Sequence, residues 1–102
     1  MKLDIETKKM LAGKIVDHAI AMQTEDDLFV GAISGGLFGA NQEAEQRYVE
    51  GVGISQERHS VAIGVAAKYL GFDRSQTAIV LREAAISGTD VIEAILTRST
   101  NY

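Results

Sequence analysis

The sequence predicts an all-α fold, a compact bundle of four to five short helices forming one domain over residues 1–102. Three observations carry that prediction. Apolar residues recur at three- and four-residue intervals along most of the chain. Proline is absent, so no segment is barred from helix. Residues suited to helix starts stand before several apolar runs, and glycines follow them.

Asp4 is placed to cap the first helix, with Leu3 before it and Glu6 in the first turn, where the helix dipole favours an acid. Leu11, Ile15, Ala19 and Met22 then form one buried stripe. Thr24, followed by Glu25, Asp26 and Asp27, reads as the start of a second helix. That acidic cluster therefore has a structural explanation before a functional one.

The segment Leu28 to Ala40 carries Gly31, Gly35 and Gly39 at four-residue spacing, with Ala32, Gly36 and Ala40 as a second small column. On one continuous helix these columns form a flat groove that another backbone can approach closely. Each glycine costs about 1 kcal/mol of helix propensity against alanine, so such a helix needs tertiary contacts. The continuous helix is the favoured reading. The alternative breaks it at Gly35-Gly36, where a two-residue hairpin would give an α+β fold.

A polar helix follows from Asn41 to Glu50, with Ala44, Tyr48 and Val49 facing inward and a loop at Gly51-Val52-Gly53. Ser55 is the expected cap of the next helix, with Val61, Val65, Ala66 and Tyr69 inward and Gly71 as terminator. Asp73 with Gln76 matches a capping box. The helix after it, with Ile79, Val80, Leu81, Ala84 and Ile86, is apolar on more than half its circumference and reads as central. Gly88 stops it, Thr89 caps the last helix, and Val91, Ile92, Ile95 and Leu96 bury against the rest. Arg98 closes that helix favourably, and residues 99–102 read as a loose tail.

The chemistry open to this chain is narrowed by what it contains. There is no cysteine, which removes disulfides, thiolate metal sites and cysteine nucleophiles. The net charge is −4, and residues 21–50 hold six acids against Arg47 alone, which disfavours binding to a phosphate backbone. No leader pattern or membrane-length apolar run is visible, so a soluble, cytoplasmic protein is expected.

His18 and His59 read as ordinary boundary histidines with no metal motif around them, and no metal or other cofactor is expected. Glu43 and Glu50 share a helix face but have neither a third ligand nor a nucleophile beside them. The glycine spacing matches neither a Walker loop nor a dinucleotide fingerprint. Its resemblance to a double-glycine export leader, at Ile33-Ser34-Gly35-Gly36, is offset by the helical domain that follows.

The expected function is accordingly a non-enzymatic interaction or regulatory protein (an adaptor, inhibitor or regulatory subunit) acting as a homo-oligomer with a protein partner. Its contact residues would be Gly31, Gly35 and Gly39 with Leu28, Phe29, Leu37 and Phe38. Two alternatives stand beside it. A helix-turn-helix over residues 65–81 would present Arg74, Ser75 and Gln76 to DNA. A small-ligand site between helices or subunits would draw on Arg47, Tyr48 and Arg58.

Overall fold

The computed structural model describes residues 3–99, and among them it contains four α-helices and no strand. The all-α bundle is borne out. The helices are α1 (Ile5–Ser34), α2 (Gln42–Tyr69), α3 (Arg74–Ser87) and α4 (Val91–Arg98). α1 and α2 form a long antiparallel hairpin, α4 packs on α1, and α3 joins α2 to α4.

Asp4 caps α1 as expected, its carboxylate accepting from the Thr7 amide at 2.7 Å. The helix then runs unbroken through Thr24, which is not a cap. Gln23 donates to Asp27 one turn on at 2.9 Å, a bond between side chains that continuous helix brings together. Two expected helices are therefore one.

The favoured reading of residues 28–40 as a single helix is overturned. Gly35 ends α1, Gly36 (φ +64°) and Gly39 (φ +54°) turn left-handed, and the chain reverses over residues 35–41. Left-handed backbone is open to glycine without the Cβ clash other residues incur, so these glycines make the turn and not a helical column. The break falls at the alternative position, but it joins two helices and not two strands.

The expected loop at Gly51-Val52-Gly53 and the expected cap at Ser55 both lie inside α2. Helix propensity is a weak prior, and here it yields to packing. Tyr48, Val52, Gln56 and His59 form a helical stripe across the two glycines, and all four are half-buried. Asn41 caps this helix through the Ala44 amide at 3.1 Å.

Gly71 (φ +92°) terminates α2 and Gly88 (φ +72°) terminates α3, both as expected. The capping box at Asp73 and Gln76 is complete. The cap of α4 is Asp90, accepting from the Glu93 amide at 3.0 Å; Thr89 bonds instead with the Ser87 hydroxyl. Of the expected tail, Ser99 donates to the Leu70 carbonyl at 2.9 Å, and residues 100–102 lie outside the described residues.

The core is gathered at one end. Ala12 and Ile15 of α1 meet Ile63, Ala66 and Ala67 of α2, Leu70 and Phe72 of the corner, Val80 of α3 and Ile95 of α4. The face that α2 buries (63, 66, 67, 70) follows the helical repeat, but Val61, Val65 and Tyr69, expected inward with Ala66, are exposed. α3 is not central. It buries Thr77, Val80 and Ala84 and leaves Ile79 and Ile86 in solvent, Ile86 at 81% exposure. Val91, Ile92 and Leu96 pack against the core without full burial, around a fully buried Ile95.

The outline is drawn out along the hairpin, 54 × 28 × 20 Å. The radius of gyration is 16.5 Å, where a globular chain of this length has about 13 Å.

Candidate functional site

No buried residue occurs between residues 16 and 62. This stretch is the distal hairpin, and its two helices meet through a seam of half-buried side chains. Phe29 stacks on Tyr48 with ring centroids 5.8 Å apart, and Phe38 from the turn closes on the same Tyr48 at 5.2 Å. Gln56 donates to the Met22 carbonyl at 3.0 Å and to the Glu25 carboxylate at 2.8 Å. Nearer the core, the Nδ1 atoms of His18 and His59 face each other at 2.8 Å.

A hairpin has two grooves between its helices, and here they differ. α3 forms a wall of one, an open cleft of about 400 Å³ in which Thr77, Ala78 and Leu81 stand across from Ala19 and Met22. The other is lined by α1 and α2 alone, through Ala21, Thr24, Glu25, Leu28, Tyr48, Val52 and His59, and encloses about 500 Å³. Leu28 stands there with 66% of its surface exposed. Around the hairpin Ile20, Val30, Leu37, Val49 and Ile54 are exposed as well.

The contact residues expected from sequence are divided by this geometry. Phe29 and Phe38 come together on Tyr48, and Leu28 lines the free groove. Gly31 lies in the last turn of α1, Gly35 ends it, and Gly39 and Leu37 belong to the turn. A Cβ on Gly35 would meet the Gly31 carbonyl oxygen at 2.9 Å, so what approaches Gly35 closely is its own helix.

Arg74, Ser75 and Gln76 stand at the start of α3 with their polar atoms engaged inside the chain. Arg74 donates to the Ser60 hydroxyl at 2.9 Å, and Ser75 donates to the Asp73 carboxylate at 3.0 Å. The Gln76 side chain accepts from the Asp73 amide at 3.0 Å. The Gln76 amide and the Ser75 hydroxyl together hold the Asp73 carboxyl below its ordinary value of 3.8. Gly64 completes this corner, since a Cβ there would come within 3.0 Å of the Arg74 side chain. A cleft of about 890 Å³ opens beside it, with Val61, Val65, Lys68 and Phe72 in its walls.

Arg47, Tyr48 and Arg58 do not converge. Tyr48 faces α1, Arg47 pairs with Glu43 on the surface, and Arg58 lines a shallow outer groove with Ile54 and Glu57. Two features were not read from sequence as sites: the histidine pair and the Gly64–Arg74 contact. Both join positions far apart in the chain, so local periodicity gives no signal for either. No helix among the described residues is long and apolar enough to cross a membrane. No known protein family, curated protein or solved structure matches the chain.

Proposed function

We propose that the chain is a non-enzymatic interaction protein that pairs with a second copy of itself through the α3-free groove of the α1–α2 hairpin. The observation that carries this reading is the absence of any buried residue from 16 to 62. Two helices joined by a half-buried seam exclude too little water to offset the entropy of ordering them. Their apolar residues also lie on more than one face, the pattern of helices covered on more than one side.

The surface area supports the same reading. The chain exposes 6827 Å², while a folded monomer of its 11.0 kDa exposes about 5,600 Å². The excess, roughly 1,200 Å², is more than the about 800 Å² that each partner covers in a standard interface. Two hairpins back to back would make a four-helix bundle, with α3 and α4 of each copy on the outside. A two-fold axis closes such a pair without leaving a free apolar end.

Size-exclusion chromatography with light scattering tests this directly. The expected mass is twice 11.0 kDa, falling to one chain when Leu28→Glu is introduced. Leu28 is exposed in the single chain, so that substitution spares the monomer fold. A wild-type mass of one chain up to about 100 µM, well above the Kd expected of an interface this size, sinks the proposal. So does a dimer that Leu28→Glu leaves intact.

A further inference from the structure

The corner between α2 and α3 leaves one apolar row uncovered. Val61, Val65 and Tyr69 repeat every four residues along the end of α2, and all three are exposed. The row is about 12 Å long. Beside it runs the cleft of about 890 Å³, and that cleft carries two cations. Gly64 has no side chain, and the Arg74 chain lies across it, within 3.0 Å of where a Cβ would stand. Lys68 follows Gly64 one turn on, along the same face of α2. Arg74 gives one guanidinium donor to the neutral Ser60 hydroxyl. Neither cation pairs with a carboxylate among the described residues. The one acid in the cleft wall is Asp73, turned to the start of α3, where its Oδ1 accepts from the Gln76 amide and the Ser75 hydroxyl. In a chain of net charge −4, this cleft therefore presents free positive charge.

We infer that the cleft between α2 and α3 is the docking surface for an acidic amphipathic helix of another protein. The apolar stripe of such a helix lies on Val61, Val65 and Tyr69, the way a helix seats in a groove. Carboxylates beside that stripe reach Lys68 and Arg74, the two charges here that lack an opposite partner. A phosphate backbone fits less well, because it has no apolar face to set on the exposed row, and the acids elsewhere in the chain repel a polyanion. The cleft shares no residue with the groove lined by α1 and α2 alone, so this surface and the self-association stand or fall separately.

Fluorescence anisotropy of the full chain with two labelled peptides tests the surface. Both are stapled to hold a helix and carry the same leucine stripe, flanked by glutamates in one and by lysines in the other. The glutamate peptide should bind about tenfold tighter or more, and less tightly as NaCl is raised. Lys68→Glu should weaken the glutamate peptide about tenfold and strengthen the lysine peptide, a reversal that mere loss of structure does not produce. Val65→Asp should weaken both. Lys68 and Val65 are exposed, so these changes spare the fold, and circular dichroism checks it. Should a variant fail to fold, the contrast between the two peptides on the wild type decides. Equal binding of the two peptides, no binding of either, or glutamate-peptide binding that survives Lys68→Glu overturns the inference. So does duplex DNA bound through Lys68, or a wild-type assembly that Lys68→Glu breaks up, which would give the cleft to another copy of the chain.

Discussion

The two ends of this molecule are built from the same helices under different rules. At the root, α1 and α2 are joined by α3, α4 and the corner between α2 and α3, and every fully buried side chain lies there. At the tip the same two helices have only each other. The root is specified by burial, with Ile15, Leu70 and Ile95 wholly removed from water. The tip is specified by a seam of aromatic stacking and side-chain hydrogen bonds that solvent still reaches. One helix thus passes from a region that removes side chains wholly from water into one where solvent still reaches them all, with no break in its backbone.

The sharpest way to break the comparison is to cut into each end in turn. Ile95→Ala removes a wholly buried side chain, and its expected loss is about 2–5 kcal/mol in denaturant unfolding. Phe29→Ala, at the tip, should lose clearly less at low protein concentration and more at high concentration, when the groove is covered. Equal losses at every concentration would show that the tip is as self-sufficient as the root.

Glycine substitutions sharpen the contrast, because one change carries opposite signs. Gly36→Ala forces a side chain into left-handed backbone at φ +64° and should destabilise by about 1–2 kcal/mol. Gly53→Ala adds a methyl group in the interior of α2, where nothing lies within 4 Å. It should stabilise by about 0.5–1 kcal/mol. A stability loss at Gly53 would mean that the helix there meets another backbone closely.

Acid titration gives a smaller effect, confined to two helix starts. Hydrogen bonds from the backbone hold the Asp4 and Asp73 carboxyls below 3.8 in the folded chain. Their stabilising contribution is complete above that value and fades as the pH falls through the lower folded values. Asp73→Ala should therefore lower the melting temperature at pH 7 and flatten its fall below pH 4. Smallest of all, Thr24→Ala should change stability by less than about 0.5 kcal/mol at low protein concentration, because in the single chain Thr24 lies exposed within α1 and caps nothing.

Helical character, the caps at Asp4 and Asp73 and the stops at Gly71 and Gly88 were all legible in the sequence. Each is a local signal: a carboxylate three residues before an unpaired amide, or a glycine where the backbone must turn left-handed. Thr24, Ser55 and the pair Gly51 and Gly53 misled for a common reason. Start and stop residues are permissive, and a helix continues through them when a partner helix supports both sides. The seam through Met22, Gln56, Tyr48 and His59 provides that support, and it arises from residues some twenty to forty positions apart. The aromatic residues of the candidate surface were visible as apolar positions. Which groove is lined by α1 and α2 alone was not, because that depends on where α3 lies.

The turn at residues 35–41 stands at the far end of the hairpin from every buried residue, and only Phe38 within it is even half-buried. Closing a flexible loop becomes harder by only about 0.6 kcal/mol for each doubling of its length. This reversal is therefore the natural insertion point for a foreign peptide, provided Phe38 keeps its place on Tyr48. A tag or fluorescent reporter carried there would ride on the end of a 54 Å molecule, well away from the packing that holds the fold together.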